Sequence, residues 1–211
     1  MGRTSNADQK LMDAALDLMW EESYGSVTID HICQRAGVKT GSFYYFYKSK
    51  ADLAVAALEK LWNDEWKPTL DRVFSPSVDP ILRLTGYLGA IHGKISAQKA
   101  EHGKVLGCPI YSVGSEVSTQ EVDVSAVVRD ILSRKLRYYE STLRDALAQG
   151  DIEPCDPAKQ AVALFGLIEG MVSQARIMND PDVLRQLPDA ARSLLRLKSA
   201  RAQLAGAPLT A

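Results

Sequence analysis

TIDHICQRAGVKTGSFYYFYKSKADL, residues 28–53, is the stretch that decides the fold. Its centre, VKTGSFYYFYKSK (38–50), carries five consecutive rings, Phe43, Tyr44, Tyr45, Phe46 and Tyr47, between clusters of lysine and hydroxyl side chains. From His31 to Lys50 the basic residues are Arg35, Lys39, Lys48 and Lys50 against no Asp or Glu, so 4 − 0 gives +4, although the chain as a whole carries −1. A core segment does not need the lysines, and a solvated surface does not need the rings. The pattern predicts contact with an anionic partner, made by a local patch rather than the whole surface.

Working outward, Thr28 stands where a helix N-cap belongs, and Ile29, Ile32, Cys33 and Ala36 supply the apolar face of a short helix that Gly37 ends. A second short helix is expected from about Thr40 to Tyr45. Phe43 and Tyr47, four apart, can both face inward, which leaves Tyr44 and Tyr45 for a partner. Upstream, Ala7, Leu11, Ala14, Ala15, Leu18 and Met19 recur at helical spacing over residues 6–22. Downstream, Ser49 caps a helix with Leu53, Ala54, Ala57, Leu58, Leu61 and Trp62 on one face, expected to end near Pro68.

Two short helices joined by a glycine-containing turn make a helix-turn-helix, whose second helix enters the DNA major groove. Lysines at the helix ends can neutralise phosphates. Thr40 and Ser42 are short donors, with Gly41 between them permitting close backbone approach. Tyr44 and Tyr45 offer a ring to a thymine methyl and a hydroxyl to a phosphate.

Over residues 7–62 the chain resembles the TetR family of transcriptional regulators. It is similar at Thr28, Ile29, Ile32, Ala36, Gly37, Val38, Gly41, Phe43, Tyr44, Tyr45, Lys48, Lys50 and Leu53. It departs from the family pattern at Phe46-Tyr47, where a Tyr/His-Phe pair is commoner, and at Lys39-Thr40, where Ser-Lys is commoner. The resemblance implies that Thr28, Lys39, Thr40, Ser42, Tyr44, Tyr45, Lys48 and Lys50 serve DNA, with Thr28 and Lys50 at phosphates. It also implies a homodimer on a palindromic double-stranded operator and a C-terminal half that binds a small-molecule inducer.

At 211 residues the chain can build one large core or a small module joined to a larger one. Cys33, Cys108 and Cys155 are odd in number and fit neither a disulfide framework nor a zinc ribbon, which favours a reducing, cytoplasmic setting. No signal-peptide pattern opens the sequence, and no apolar run is expected to cross a membrane. Past Ser75-Pro76-Ser77 the helical period returns in Ile81–Ile95, in Val124–Leu147 closed by Gly150, and in a helix opened by Pro157. A last helix follows Pro181, with Pro188 as a possible bend. Residues 102–116, interrupted by Gly103, Gly107, Pro109 and Gly114, cannot be one regular helix. No strand-period segment stands out, so an all-α fold is expected: residues 1–50 for DNA, 51–74 as a connecting helix, 75–200 for ligand and dimerisation, and 201–211 as a frayed tail.

By the resemblance, the dimer uses the last two long helices, roughly 157–178 and 181–198, with Gly166, Gly170, Leu184, Leu187, Ala191, Leu194 and Leu195 at the interface. The residues alone allow equally that these faces close the protomer's own core. Candidate cavity residues are Trp62, Trp66, Tyr87, His92, Cys108, Tyr111, Tyr138, Phe165 and Glu169, and a bundle of this size needs many of them for packing. Residues 102–116 look like the short sixth helix that couples the ligand pocket to DNA binding in the family. Cys108, in a Gly-Cys-Pro stretch, reads either as a sensor thiol for electrophiles or as a buried apolar cysteine. Cys33 reads as core, and Cys155 lies in a loop. His92, His102 and Cys108 lack diagnostic metal spacing, so no metal or cofactor is expected. No nucleophile with its base, paired carboxylates or phosphate-cradling loop stands out, which argues against an enzyme. A helical module without DNA recognition is disfavoured by the intact Lys39–Lys50 run.

Overall fold

A computed structural model describes residues 6–117 and 119–198, and all its elements there are helical. They are α1 (Ala7–Glu21), α2 (Ile29–Ala36), α3 (Thr40–Phe46), α4 (Lys50–Leu61), a π-helical turn (Trp62–Trp66), α5 (Lys67–Val73), α6 (Pro80–His102) and α7 (Pro109–Val117). Then follow α8 (Val122–Ala148), α9 (Pro157–Met178), a 3-10 turn (Pro181–Gln186) and α10 (Leu187–Leu195). The expected tail at 201–211 lies outside the described residues.

The helices form two compact units. The first comprises the chain up to Lys67 together with Cys108–Leu132; the second comprises Pro68–Gly107 and Ser133 onward. This cut differs from the expected one at residues 50 and 75. Helix α7 and the first part of α8 cluster with the N-terminal helices, because pairing across a long sequence separation brings them there.

In the first unit α1 packs on α2, α3, α4 and α7. Leu11, Ala14, Ala15, Leu18 and Met19 of α1 meet Ile32, Phe43, Leu53, Ala54, Ala57 and Leu58, all buried. Local signals set the boundaries. The Thr28 hydroxyl accepts from His31 N at 3.2 Å, Gly37 closes α2 at φ 64°, and the Ser49 hydroxyl accepts from Asp52 N at 3.1 Å. Gly114 lies where a Cβ would meet Val128 Cγ1 at 2.6 Å, so α7 seats on α8 only with glycine there.

In the second unit α10 and the 3-10 turn pack on α6 and α9. Asp79 caps α6 and Asp156 caps α9, each followed by proline in the first turn. The last helix is shorter than expected. Asp180 and Pro181 open a six-residue 3-10 turn, and Pro188 sits in the first turn of a nine-residue α-helix, where its missing N–H is harmless. Helix α9 also amends the membrane expectation: by length and composition alone it could cross a bilayer, a test that the core helix of a soluble bundle passes equally.

Candidate nucleic-acid interface and a buried polar core

Helix α3 is seven residues long and splits its rings by depth. Phe43 is 0% exposed and Tyr47 8%, the latter donating its hydroxyl to Asp8, whereas Tyr44 is 60% and Tyr45 83% exposed. Burial, followed by the Asp8 contact, raises the Tyr47 pKa well above the ordinary tyrosine value and keeps the hydroxyl a donor. Tyr44 meets the Phe43 ring edge-on at 5.2 Å between centroids, and Tyr45 meets Phe46 edge-on at 4.9 Å. The outward rings therefore stand on an anchored base. Lys39, Thr40, Gly41, Ser42 and Lys48 are exposed beside them.

The four positive charges of the segment separate on folding. Arg35 forms an ion pair with Glu21 at 3.1 Å. Lys50, expected at a phosphate, turns inward: its ammonium donates to the carbonyls of Tyr24 at 2.7 Å and Val27 at 2.9 Å and stands 4.3 Å from the Tyr24 ring centroid. Burial lowers its pKa, with Glu121 and Glu116 acting in the opposite direction. Two of Lys50's three donors are thus committed within the unit. The Thr28 hydroxyl is engaged as an N-cap and the Thr40 hydroxyl donates to Asp30 at 3.1 Å, though both residues are exposed. Lys39 and Lys48 remain the outward cations of the segment.

The expected cavity residues divide between the units. Trp62 is buried, Trp66 half-buried, and Cys108 is half-buried at the start of α7, where its sulfur accepts from Tyr111 N at 3.4 Å; these four lie in the first unit. Cys33 is buried, as expected of a core residue, and burial raises its pKa. Cys155 is half-buried.

Tyr87, His92, Tyr138, Phe165 and Glu169 lie in the second unit. His92 contacts Asp182 at 3.1 Å, and the Tyr138 hydroxyl donates to Asp71; burial foremost, followed by that contact, moves the Tyr138 pKa to about 12. Around Tyr87, Phe74, Tyr138 and Tyr139 build an aromatic cluster with centroids 5.1–6.0 Å apart, and the Tyr139 hydroxyl donates to Tyr87 at 3.0 Å.

Lys135 and Glu169, only 5% and 2% exposed, form an ion pair of 2.9 Å, with the ammonium 5.3 Å from the Phe165 ring centroid. Glu169 Oε2 is buried without a hydrogen-bond partner among the described residues. Lys135 and Tyr139 are not among the residues expected from the sequence. Their signal is that both fall on the inward face of α8, four and eight residues after the buried Ile131.

The expected dimer residues divide between core and surface of the second unit. Leu184, Leu187, Ala191 and Leu195 are fully buried within the second unit, where they close its core, and Leu194 is half-buried. Gly166 and Gly170 instead lie on an exposed face of α9 with Val162 and Ile177.

A helix-turn-helix with an anchored, ring-bearing second helix, accompanied by a second unit that is also helical among the described residues, defines the class of helix-turn-helix DNA-binding proteins. The N-terminal half matches the family described as bacterial regulatory proteins, tetR family, over residues 11–57, and the C-terminal half matches the tetracyclin repressor-like C-terminal domain over residues 86–191. The chain belongs to the TetR family and is a DNA-binding transcriptional regulator. It is 30% identical to the transcriptional regulator AcuR of Cereibacter sphaeroides, over 85% of this chain and 81% of that one. It is 24% identical to the transcriptional repressor NemR of Escherichia coli, over 80% and 83%. A crystal structure of a regulatory protein TetR from Rhodobacter sphaeroides superposes with a TM-score of 0.77 at 29% identity, covering 91% of this chain and 98% of that one.

Proposed function

We propose that the protein represses transcription by binding a palindromic operator as a homodimer in the cytoplasm, without enzymatic activity, and that a small molecule held in the second unit releases it. The observation carrying the DNA half of this reading is the exposure of Tyr44 and Tyr45 above a buried Phe43, flanked by Lys39 and Lys48. Ser42 and Thr40 complete the base-facing edge, and the Thr28 hydroxyl and α2 N-terminus meet phosphate. Lys50 acts by holding the turn before α2, with at most one donor left for DNA.

For the dimer, the exposed face of α9 supports the reading. Val162, Gly166, Gly170 and Ile177 present small and apolar side chains at helical spacing, which allows close approach of the same face of a second copy. The ligand half rests on the Tyr87–Tyr139–Lys135–Glu169 core. An orphaned carboxylate oxygen costs free energy that a hydrogen-bond donor on a ligand would recover. Release requires that the ligand bind the DNA-incompetent state more tightly, by about 1.4 kcal/mol for each tenfold loss of operator affinity.

Fluorescence anisotropy of the purified protein with duplexes from its genomic neighbourhood, titrated at several salt concentrations, tests the reading. Saturable, palindrome-dependent binding that Tyr44→Ala weakens at unchanged helicity is expected. Binding indifferent to sequence and to Tyr44 would overturn it.

A further inference from the structure

The turn between α1 and α2 is held from both sides by side chains remote in sequence. From α7, the Glu116 carboxylate accepts two consecutive backbone donors, Tyr24 N at Oε2 (2.9 Å) and Gly25 N at Oε1 (2.7 Å). From the start of α4, the Lys50 ammonium takes the turn's acceptors, the carbonyls of Tyr24 and Val27. Donors and acceptors of one short loop are thus met by an acid and a base, bonds stronger than neutral ones. The loop runs directly into Thr28, the cap of α2, and α2 packs on α1 and α3. What fixes this loop therefore bears on how α2 starts and, together with packing on α1, on how the helix-turn-helix sits.

We propose that Glu116 is a positioning residue for operator binding: its two-oxygen clasp on the Tyr24 and Gly25 amides holds the α1–α2 turn, and with it α3, in the DNA-competent orientation. The clasp depends on Gly25. A Cβ there would stand 2.7 Å from Glu116 Oε1, so any side chain displaces the carboxylate. It depends also on Gly114, which lets α7 seat against Val128 and so brings Glu116 within reach of the turn. Glu116 is exposed and makes no part of the apolar core. Its loss frees the loop without emptying the interior. The competent orientation then becomes one of several, and apparent affinity falls by the fraction of molecules still holding it.

The test uses the full-length protein and a duplex selected by the wild-type protein from a randomised pool. Glu116→Ala and Gly25→Ala are each expected to weaken binding to that duplex about tenfold, the loss that follows when the competent conformer drops to about a tenth of the population. The double variant is expected to bind no more weakly than either single one, since both remove the same clasp. Low-salt binding to an unrelated duplex, which needs only the exposed lysines, is expected to stay within about twofold. Amide exchange at Tyr24 and Gly25 is expected to quicken in Glu116→Ala. Gly25 has no left-handed backbone to lose, so Gly25→Ala is expected to fold and serves as the test if Glu116→Ala does not. Selected-duplex binding within twofold of wild type overturns the proposal. So do losses that multiply in the double variant, or an equal fall in binding to the unrelated duplex.

Discussion

Each unit places a lysine against an aromatic ring, and the two lysines are satisfied differently. Lys50 of the first unit is half-buried over Tyr24 and donates to two backbone carbonyls; Lys135 of the second is buried near Phe165 and donates to the Glu169 carboxylate. Carbonyls are neutral and already part of the fold, so Lys50 closes a loop and leaves no uncompensated anion. A carboxylate adds a second buried charge and, in Glu169, an unpartnered oxygen. The first arrangement is a fastening. The second leaves a buried polar oxygen unsatisfied, the feature on which the proposed ligand reading rests.

The largest effect expected from this contrast is at Lys135. Lys135→Ala leaves Glu169 buried and unpaired, and unfolding by urea should show about 3–5 kcal/mol lost, as for other broken buried pairs. Replacing both partners, Lys135→Met with Glu169→Leu, should recover most of that loss, because desolvation of both charges disappears with them. A double variant as unstable as the single one would remove the buried pair as the cause.

Lys50→Met should cost less, about 1.5–3 kcal/mol for hydrogen bonds from a charged donor. Its sharper reading is in DNA binding. If Lys50 is a fastening, Lys50→Met weakens operator binding without changing its salt dependence. Lys39→Ala and Lys48→Ala should each flatten the slope of log K against log salt by about 0.9. A slope change for Lys50→Met as large as for Lys39→Ala would return Lys50 to the phosphate backbone.

The same contrast explains what the sequence could disclose. The helix ends of the first unit are written in local signals, namely Thr28, Gly37 and Ser49, each acting within three or four residues of itself. The inward placement of Phe43 and Tyr47 against outward Tyr44 and Tyr45 follows from helical spacing alone. The direction of Lys50 does not, since its acceptors lie 23 and 26 residues away, and the Glu116 clasp spans 91 and 92. In the second unit, periodicity shows that Leu184, Leu187, Ala191 and Leu195 are covered. It cannot distinguish their own chain from a second copy, and they proved to be core. Lys135 was hidden because a charged residue in an apolar period is ordinarily read as solvated, and its partner is 34 residues downstream.

The smallest effect sits on the surface of the second unit. Asp182 accepts from His92 Nε2 at 3.1 Å and from Arg185 Nε at 2.9 Å, and these two bonds, the His92 one foremost, hold its carboxyl below the ordinary value of 3.8. For a carboxylate whose folded pKa is depressed, the stabilisation is fully present above the unfolded value and is lost as pH falls through the lower folded one. Thermal melts of the wild type and Asp182→Asn should therefore differ slightly at pH 7 and pH 5 and converge as pH drops below about 4, the ordinary range of an aspartate. The difference should be small because Asp182 is exposed and solvent screens such pairs. Identical melts at every pH would show that this contact contributes nothing to tying the 3-10 turn to α6, whereas a gap that persists into acid would trace the effect to something other than the charge.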